Sequence, residues 1–365
     1  MTLDAHDAHD VFAGVAGAVR DERGLVHVGN PMREQQLLES GDAIAALGDR
    51  AVVTVSGPDR LTWLDSLTSQ ALARLLPGES TELLVLDPQG HVEHAASVVD
   101  DGETTWLVTD ADRVEALTGW LQRMRFRLRV EIAQRADVAV VGGTAVAAAD
   151  VVALATWHDP WPAVSVGGWG YADAAEHAAR GRDWSEAVVE DVELDRLVRE
   201  TVSGERRIVG RSAADALRVA AWRPRPSAEA DGSTLPHEVD WLRTAVHLSK
   251  GCYRGQETVA KVHNLGHPPR RLVALQLDGS DAVLPEPGAV VRRGDDEVGR
   301  VTSVARHFEQ GPIALALVKR STPVDAALTV DADDMRVAAV QEVVVPPDAG
   351  RTAAPPRLPR LSRRT

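Results

Sequence analysis

The sequence predicts an α+β protein with a separate all-β C-terminal part, and three observations predict it. Between residues 51 and 132, β-branched runs alternate with two windows of helical periodicity, the pattern of an antiparallel sheet with helices on one face. After Pro268-Pro269, short β-rich runs separated by glycine and proline turns continue without a helical window, as in a barrel or sandwich. A chain of 365 residues, 44% hydrophobic and 26% charged, has material for two or three globular cores.

In chain order, a first strand is expected at Leu25 to Val28 and a second at Ala51 to Ser56. Gly57-Pro58-Asp59 then starts a helix with Ser56 as candidate cap, Asp59 at its positive end and Leu61, Leu64 and Leu67 as its apolar face. Thr81 to Asp87 and His91 to Val99 flank the turn tripeptide Pro88-Gln89-Gly90 and read as a hairpin. Another strand at Thr105 to Thr109 leads to a helix capped by Asp110 or Asp112, in which Val114, Leu117, Leu121 and Met124 recur at three and four residues. Leu128, Val130 and Ile132 alternate as a strand.

Val138 to Gly170 is glycine-rich and holds Trp157, Trp161 and Trp169, which reads as strands with long turns of structural role. Val192 to Val202 is a helix ended by Ser203-Gly204. Strands at Leu272 to Leu277, Ala289 to Arg292, Glu297 to Val304, Ile313 to Val318 and Met335 to Val345 fill the β-rich part, residues 268–345. Residues 346–365 carry five arginines against one aspartate, a net of +4 that leaves −18 on the rest, and read as a disordered Pro/Arg tail.

The densest chemistry lies in Lys250-Gly251-Cys252-Tyr253-Arg254-Gly255-Gln256-Glu257, which sets the chain's one cysteine between two glycines and two cations. Lys250 and Arg254 offer an electropositive setting that favours thiolate. Gly251 and Gly255 permit a sharp turn and close approach of a ligand, and Gln256 and Glu257 add polar groups. The competing reading is a loop around a small buried hydrophobe.

KGCYRGQE followed by TVAKVHNLG resembles the signature of the YgfZ family, folate-binding relatives of the glycine-cleavage T-protein. VSGPDRLTWLDSLTSQ, LVLDPQGHV, DALRVAAWRPR and LPHEVDWL follow that family's order and spacing, so the resemblance covers most of residues 34–345. It implies two intertwined α+β subdomains within residues 1–267, one of them 51–132, and a C-terminal barrel, all arranged around a central channel. It implies tetrahydrofolate as ligand and a role in assembling or repairing iron–sulfur clusters of client enzymes, some of them tRNA-modifying, with Cys252 as the essential group. For the pterin's donor edge the candidate acceptor is Glu238; for the anionic tail, Arg218 or Arg223, since a guanidinium binds a carboxylate bidentately. Trp222 stands beside them. The chain departs from the family where relatives commonly carry a glutamate: here stands Ala220.

The same resemblance leaves two other readings. A folate-dependent aminomethyltransferase of the T-protein type places an aspartate pair after the hairpin glycine, whereas Gly90 is followed by His91, Val92, Glu93 and His94. A non-catalytic interaction module would need no Cys252 chemistry.

Composition narrows the rest. One cysteine excludes an intrachain disulfide and a cluster held by this chain alone, which needs about four ligands. No metal is expected, because His263 and His267 with His247 and Cys252 lack the paired ligands of a zinc site. A net charge of −14 argues against broad nucleic-acid contact. The N-terminal MTLDAHDAHDVFAG lacks a signal's basic and apolar regions, and no window suits a membrane span, so a cytoplasmic protein is expected.

Overall fold

The computed structural model describes residues 11–172, 176–280 and 283–353. A hairpin of β1 (Ala18–Asp21) and β2 (Gly24–Val28) precedes α1 (Pro31–Glu39) and β3 (Ile44–Ala46). There follow β4 (Arg50–Ser56), α2 (Arg60–Leu67), β5 (Ser80–Leu86), β6 (Val92–Asp100), β7 (Thr104–Asp110), α3 (Val114–Met124) and β8 (Glu131–Arg135). Then come β9 (Val138–Gly143), α4 (Ala145–Ala149), β10 (Ala155–His158), β11 (Ser185–Glu190), α5 (Asp191–Ser203), β12 (Ile208–Val209), α6 (Arg211–Ala220), α7 (Pro226–Glu229) and α8 (Gln256–Leu265). The last part is β13 (Arg270–Leu277), β14 (Val290–Arg293), β15 (Asp296–His307), β16 (Gly311–Lys319), β17 (Leu328–Ala332) and β18 (Met335–Val343).

The strands form two five-stranded sheets and a closed barrel. The first sheet, β5-β6-β7-β4-β8, is antiparallel throughout and contiguous in sequence. The second, β10-β11-β9-β3-β12, takes β3 from before the first sheet and the rest from after it, so one unit is inserted in the other. Its one parallel pair joins Ile208 to Ile44. In the barrel, β13-β16-β15-β14-β17-β18 closes by pairing of β18 with β13, which leaves no free strand edge.

One apolar cluster ties all three units together: Leu84 and Leu86 from the first sheet, Trp161 and Trp241 from the connections, and Leu272, Leu315 and Leu317 from the barrel. Each such fully buried side chain contributes about 1.5–3 kcal/mol, so the barrel cannot swing free without exposing it.

Several expectations change. Ser56 does not cap α2. It ends β4, and Asp59 at the cap position spends its carboxylate on the backbone NH and guanidinium of Arg129. Arg113, not Asp110 or Asp112, precedes α3, and Asp110 is drawn instead into a buried arginine cluster. Leu128 lies in an exposed turn before β8 rather than in a strand. The supposed tail is ordered through Ala353: the NH groups of Arg351, Thr352 and Ala353 donate to the carbonyls of Val262, His263 and Asn264 at the end of α8. Ala349 is buried in the shared cluster. At Gly350, φ is +88°, and a Cβ would come within 2.5 Å of the Gly266 carbonyl, so only glycine fits that crossing. The remainder of the predicted tail lies outside the described residues.

Three histidines are held neutral by burial: His237 is pushed down to about 3, His177 and His94 to about 4, with nearby cations adding to the last two. In the unfolded chain they titrate near 6.5. Between those limits the unfolded state binds more protons, so stability falls as pH falls from about 6.5 towards 4. Asp240 opposes them. Burial raises it to about 6, against the pull of Arg243, so it binds a proton in the fold that the unfolded chain does not hold until about pH 4. His263 and His307 are lowered by burial too, and Glu34 and Glu39 are raised with Asp240, so five histidines stand against three carboxyls: the melting temperature is expected to drop between pH 7 and pH 5, with a shallower slope in His237→Gln. Thermal denaturation across that range checks this; a flat or rising profile contradicts it.

Candidate functional site

The KGCYRGQE segment forms a surface turn ending in α8. Gly255 sits at the helix start with φ of +82°, and a Cβ there would lie 2.5 Å from the Asp87 carbonyl, in the β5–β6 hairpin turn that Gly90 makes. Its glycine is therefore dictated by the fold. Gly251 is not: its φ is not positive, and an added Cβ meets nothing within 4 Å. Gln256 and Glu257 belong to the first turn of α8, where the carboxylate faces the helix's positive end.

Cys252 is exposed at the crest of the turn, which removes the buried-hydrophobe reading. The two cations do not serve it as expected. The Lys250 ammonium points inward, donating to the carbonyls of Asp65, Thr68 (2.9 Å) and Gln70 (2.7 Å), with the Asp65 carboxylate at 3.5 Å. Burial lowers the Lys250 pKa, and Asp65 partly restores it. The same ammonium lies 5.6 Å from the ring centre of Tyr253, which is buried, its phenol pushed up by desolvation. Arg254 is paired with Glu93 at 2.7 Å. Lys250 is thus a clamp on the carbonyls following α2, and both charges are committed to positioning the turn.

A small cavity of about 80 Å³, open at its mouth, lies between the two sheets, roofed by α6 and the segment 223–226. Trp157 and Trp184 line it together with Arg50, Arg182, Arg223 and Arg225. Arg50 bridges Asp110 (2.8 Å) and Glu186 (3.0 Å), and Arg225 reaches the same Asp110 (2.7 Å) as well as Asp49. Burial would raise Asp110, but Arg225 and Arg50 hold it well below the carboxylate range. Arg223 bridges Glu82 and Asp159, and Arg182 adds a second contact to Asp159 at 2.7 Å while stacking 5.1 Å over Trp184. One acceptor is left over. Asp49 Oδ1 is buried and has no partner.

Of the residues singled out from sequence, Arg218 and Arg223 line this cavity, but neither is spare. Arg218 donates to Asp215, the Arg223 carbonyl and Ser303, and lies 3.4 Å from Glu229. Glu238 and Trp222 are elsewhere. Glu238 is fully buried, with Oε1 accepting from the NH and Nε of Arg270 and Oε2 from the Leu235 NH and Arg270 Nη2. It fastens the first barrel strand to the preceding turn. Trp222, with φ of +56°, packs its ring 5.4 Å from His177 and against the shared core, as does Ala220. Asp49, Arg50, Glu82, Trp157, Asp159, Arg182, Trp184 and Glu186 went unrecognised. The alternation Trp157-x-Asp159 and Arg182-x-Trp184 was their one local signal, two paired strand ends that turn the same face to the cavity. In the stretch after Gly90, Glu93 is taken by Arg254 and His91 by Asp87, while His94 is half-buried beside Trp120.

The turn and the cavity are joined by bonds. Lys250 holds the Gln70 carbonyl, the Gln70 side chain donates to the Thr244 carbonyl at 2.7 Å, and the Thr244 hydroxyl donates to Glu82, partner of Arg223. Among the described residues no group of three or more His, Cys, Asp or Glu side chains is placed to hold a metal ion, and no helix is long and apolar enough to cross a membrane.

Comparison with known proteins places this geometry. Residues 270–347 match the glycine cleavage T-protein C-terminal barrel domain. The crystal structure of glycine cleavage system aminomethyltransferase T from Bartonella henselae superposes with a TM-score of 0.70 over 90% of this chain and 93% of that one, at 17% identity. Iron-sulfur cluster assembly factor IBA57, mitochondrial, of Mus musculus is 35% identical over 127 residues, 34% of this chain and 33% of that protein. A putative chloroplastic transferase of Arabidopsis thaliana is 33% identical over 95 residues, 26% of this chain and 21% of that one. The chain thus spans a third or less of these curated relatives. The chain therefore has the fold of the glycine cleavage aminomethyltransferase, and its barrel matches the T-protein C-terminal barrel domain.

Because both Glu238 oxygens are consumed by the barrel contact, Glu238→Gln is expected to act on stability. Losing one partner of a buried ion pair costs about 3–5 kcal/mol, so the melting temperature should fall by several degrees while the cavity is unchanged. Differential scanning calorimetry checks the first. Unaltered stability would show that the Arg270 contact does not fasten the barrel.

Proposed function

We propose that the protein binds a reduced folate in the cavity between its sheets and supports assembly or repair of iron–sulfur clusters in client enzymes, tRNA-modifying ones among them, through Cys252. The observation that carries this reading is the exposed thiol of the KGCYRGQE turn, clamped by Lys250 and bonded through to an arginine- and tryptophan-lined cavity. The lining carries the chemistry a folate needs once the cavity, about 80 Å³ as it stands, widens to admit it: tryptophan rings for a planar ligand, guanidiniums that would exchange a protein carboxylate for the glutamate tail, and the orphaned Asp49 Oδ1 as an acceptor for the ring's N–H donors. Asp49 takes the role for which Ala220 is unfit and Glu238 is unavailable. Folate in this reading is an effector or positioning ligand, and the thiol meets the client's iron or thiol outside the cavity. With a lone cysteine, any cluster is shared with the client. The body's net negative charge suits protein clients better than nucleic acid, and the reading places the protein in the cytoplasm.

The aminomethyltransferase reading has the fold in its favour, but in place of an aspartate pair after Gly90 stands a single carboxylate, Glu93, and Arg254 engages it.

In a strain lacking this protein, the wild-type chain should restore activity of a subset of iron–sulfur enzymes. Cys252→Ser should not, although its melting temperature stays within about 1 °C of wild type because the side chain is exposed. Full restoration by Cys252→Ser, or a deficiency confined to glycine cleavage, would refute the proposal.

A further inference from the structure

We propose that the turn between α3 and β8 is a docking surface for an acidic face of a partner protein. Arg123, Arg125, Arg127 and Arg129 are all exposed there, on a chain whose net charge is −14. Of the four, only Arg129 has an ion-pair partner among the described residues, namely Asp59. Interleaved with them, Phe126 is 80% exposed and Leu128 39%. The Leu128 NH donates to the Arg125 carbonyl at 3.1 Å, closing the turn with Phe126 at its first corner and φ of +47°. Glycine or asparagine suits that backbone; a phenylalanine is strained there and gains no burial in return.

Arginine and aromatic side chains together are the composition of interface hot spots. The apolar tip suits a dry pocket, and the guanidiniums suit carboxylates at its rim. A compact acidic face fits better than a polyanion. The cationic cluster is only one turn long, and a nucleic-acid strand or membrane surface extending beyond it would run onto an acidic body, whose repulsion is screened only past about 8 Å.

The position suits a partner that must reach the thiol. Asp59, just before α2, fixes Arg129, and the carbonyls at and after the helix's other end fix Lys250. The eight residues of α2 separate the two anchors by about 12 Å. The cavity stays clear, because β4 runs from Arg50 in its wall to Ser56 beside the turn, about 20 Å away. The benefit of lying near the thiol rests on the proposed role of Cys252, whereas the docking surface itself rests only on the exposed arginines and Phe126.

Fluorescence anisotropy with the full chain tests it, using as probe a labelled peptide of glutamates and aspartates around a central Leu-Leu. A neutral peptide of the same length, single-stranded oligouridine, and vesicles of phosphatidylserine with phosphatidylcholine are the comparisons. The acidic peptide should bind best and weaken with added salt. Arg125→Glu/Arg127→Glu should weaken it at least about tenfold, and Phe126→Gly should weaken it while raising the melting temperature, since glycine relieves the strained φ. Tighter binding of oligouridine or vesicles, equal binding of the neutral peptide, no binding of the acidic one, or undiminished binding by either variant would overturn the proposal.

Discussion

The buried carboxylate of Asp110, shared by Arg50 and Arg225 and by the NH and hydroxyl of Ser227, is the contact on which the architecture around the cavity depends. Asp110 ends β7 of the first sheet; Arg50 starts β4 and reaches across to Glu186 of the second; Arg225 belongs to the connection that leads to α7. Taking such charges out of water is costly, and only the mutual pairing offsets it. The pairing is therefore a constraint. The sheets can meet only in the register that satisfies every guanidinium, and that register leaves a space walled by tryptophans with one acceptor unused.

The same logic extends outward to the thiol. Glu82 serves Arg223 with one oxygen and Thr244 with the other, Thr244 holds Gln70, and the Gln70 carbonyl holds Lys250. Each is buried, so each bond broken leaves an unsatisfied polar group at a cost of about 1–3 kcal/mol. Cys252 is thus an exposed side chain on a backbone fixed from beneath. Exposure supplies access and the clamp supplies position, two requirements that a loop thiol on a mobile segment would not meet together.

Much of this was legible in the sequence. The hairpin at Pro88-Gln89-Gly90, the helix over Val114 to Met124 and the β-rich character after Pro268 rest on local turn chemistry and periodicity, and the structure has them. The KGCYRGQE turn was visible from composition alone. What escaped was set by distant partners. Charge balance around Lys250 and Arg254 suggested service to the thiol, but the carbonyls after α2 and the carboxylate of Glu93 claim both. Glu238 looked like a ligand residue because the Arg270 opposite it is distant in sequence by a whole helix. The cavity's walls come from strand ends in a glycine-rich stretch with little periodicity, and Asp110 looked like a helix cap because nothing nearby reveals the two arginines that bury it.

The central claim, that folate occupies the cavity while the thiol stays outside it, is tested most directly by a crystal structure with tetrahydrofolate bound. The account predicts the ring between Trp157 and Trp184, its donor edge within hydrogen-bonding distance of Asp49 Oδ1, its glutamate against the cavity's guanidiniums, and Cys252 free of ligand contact. A ligand seated at Glu238 or against Cys252, or a cavity that stays empty at saturating folate, would contradict it.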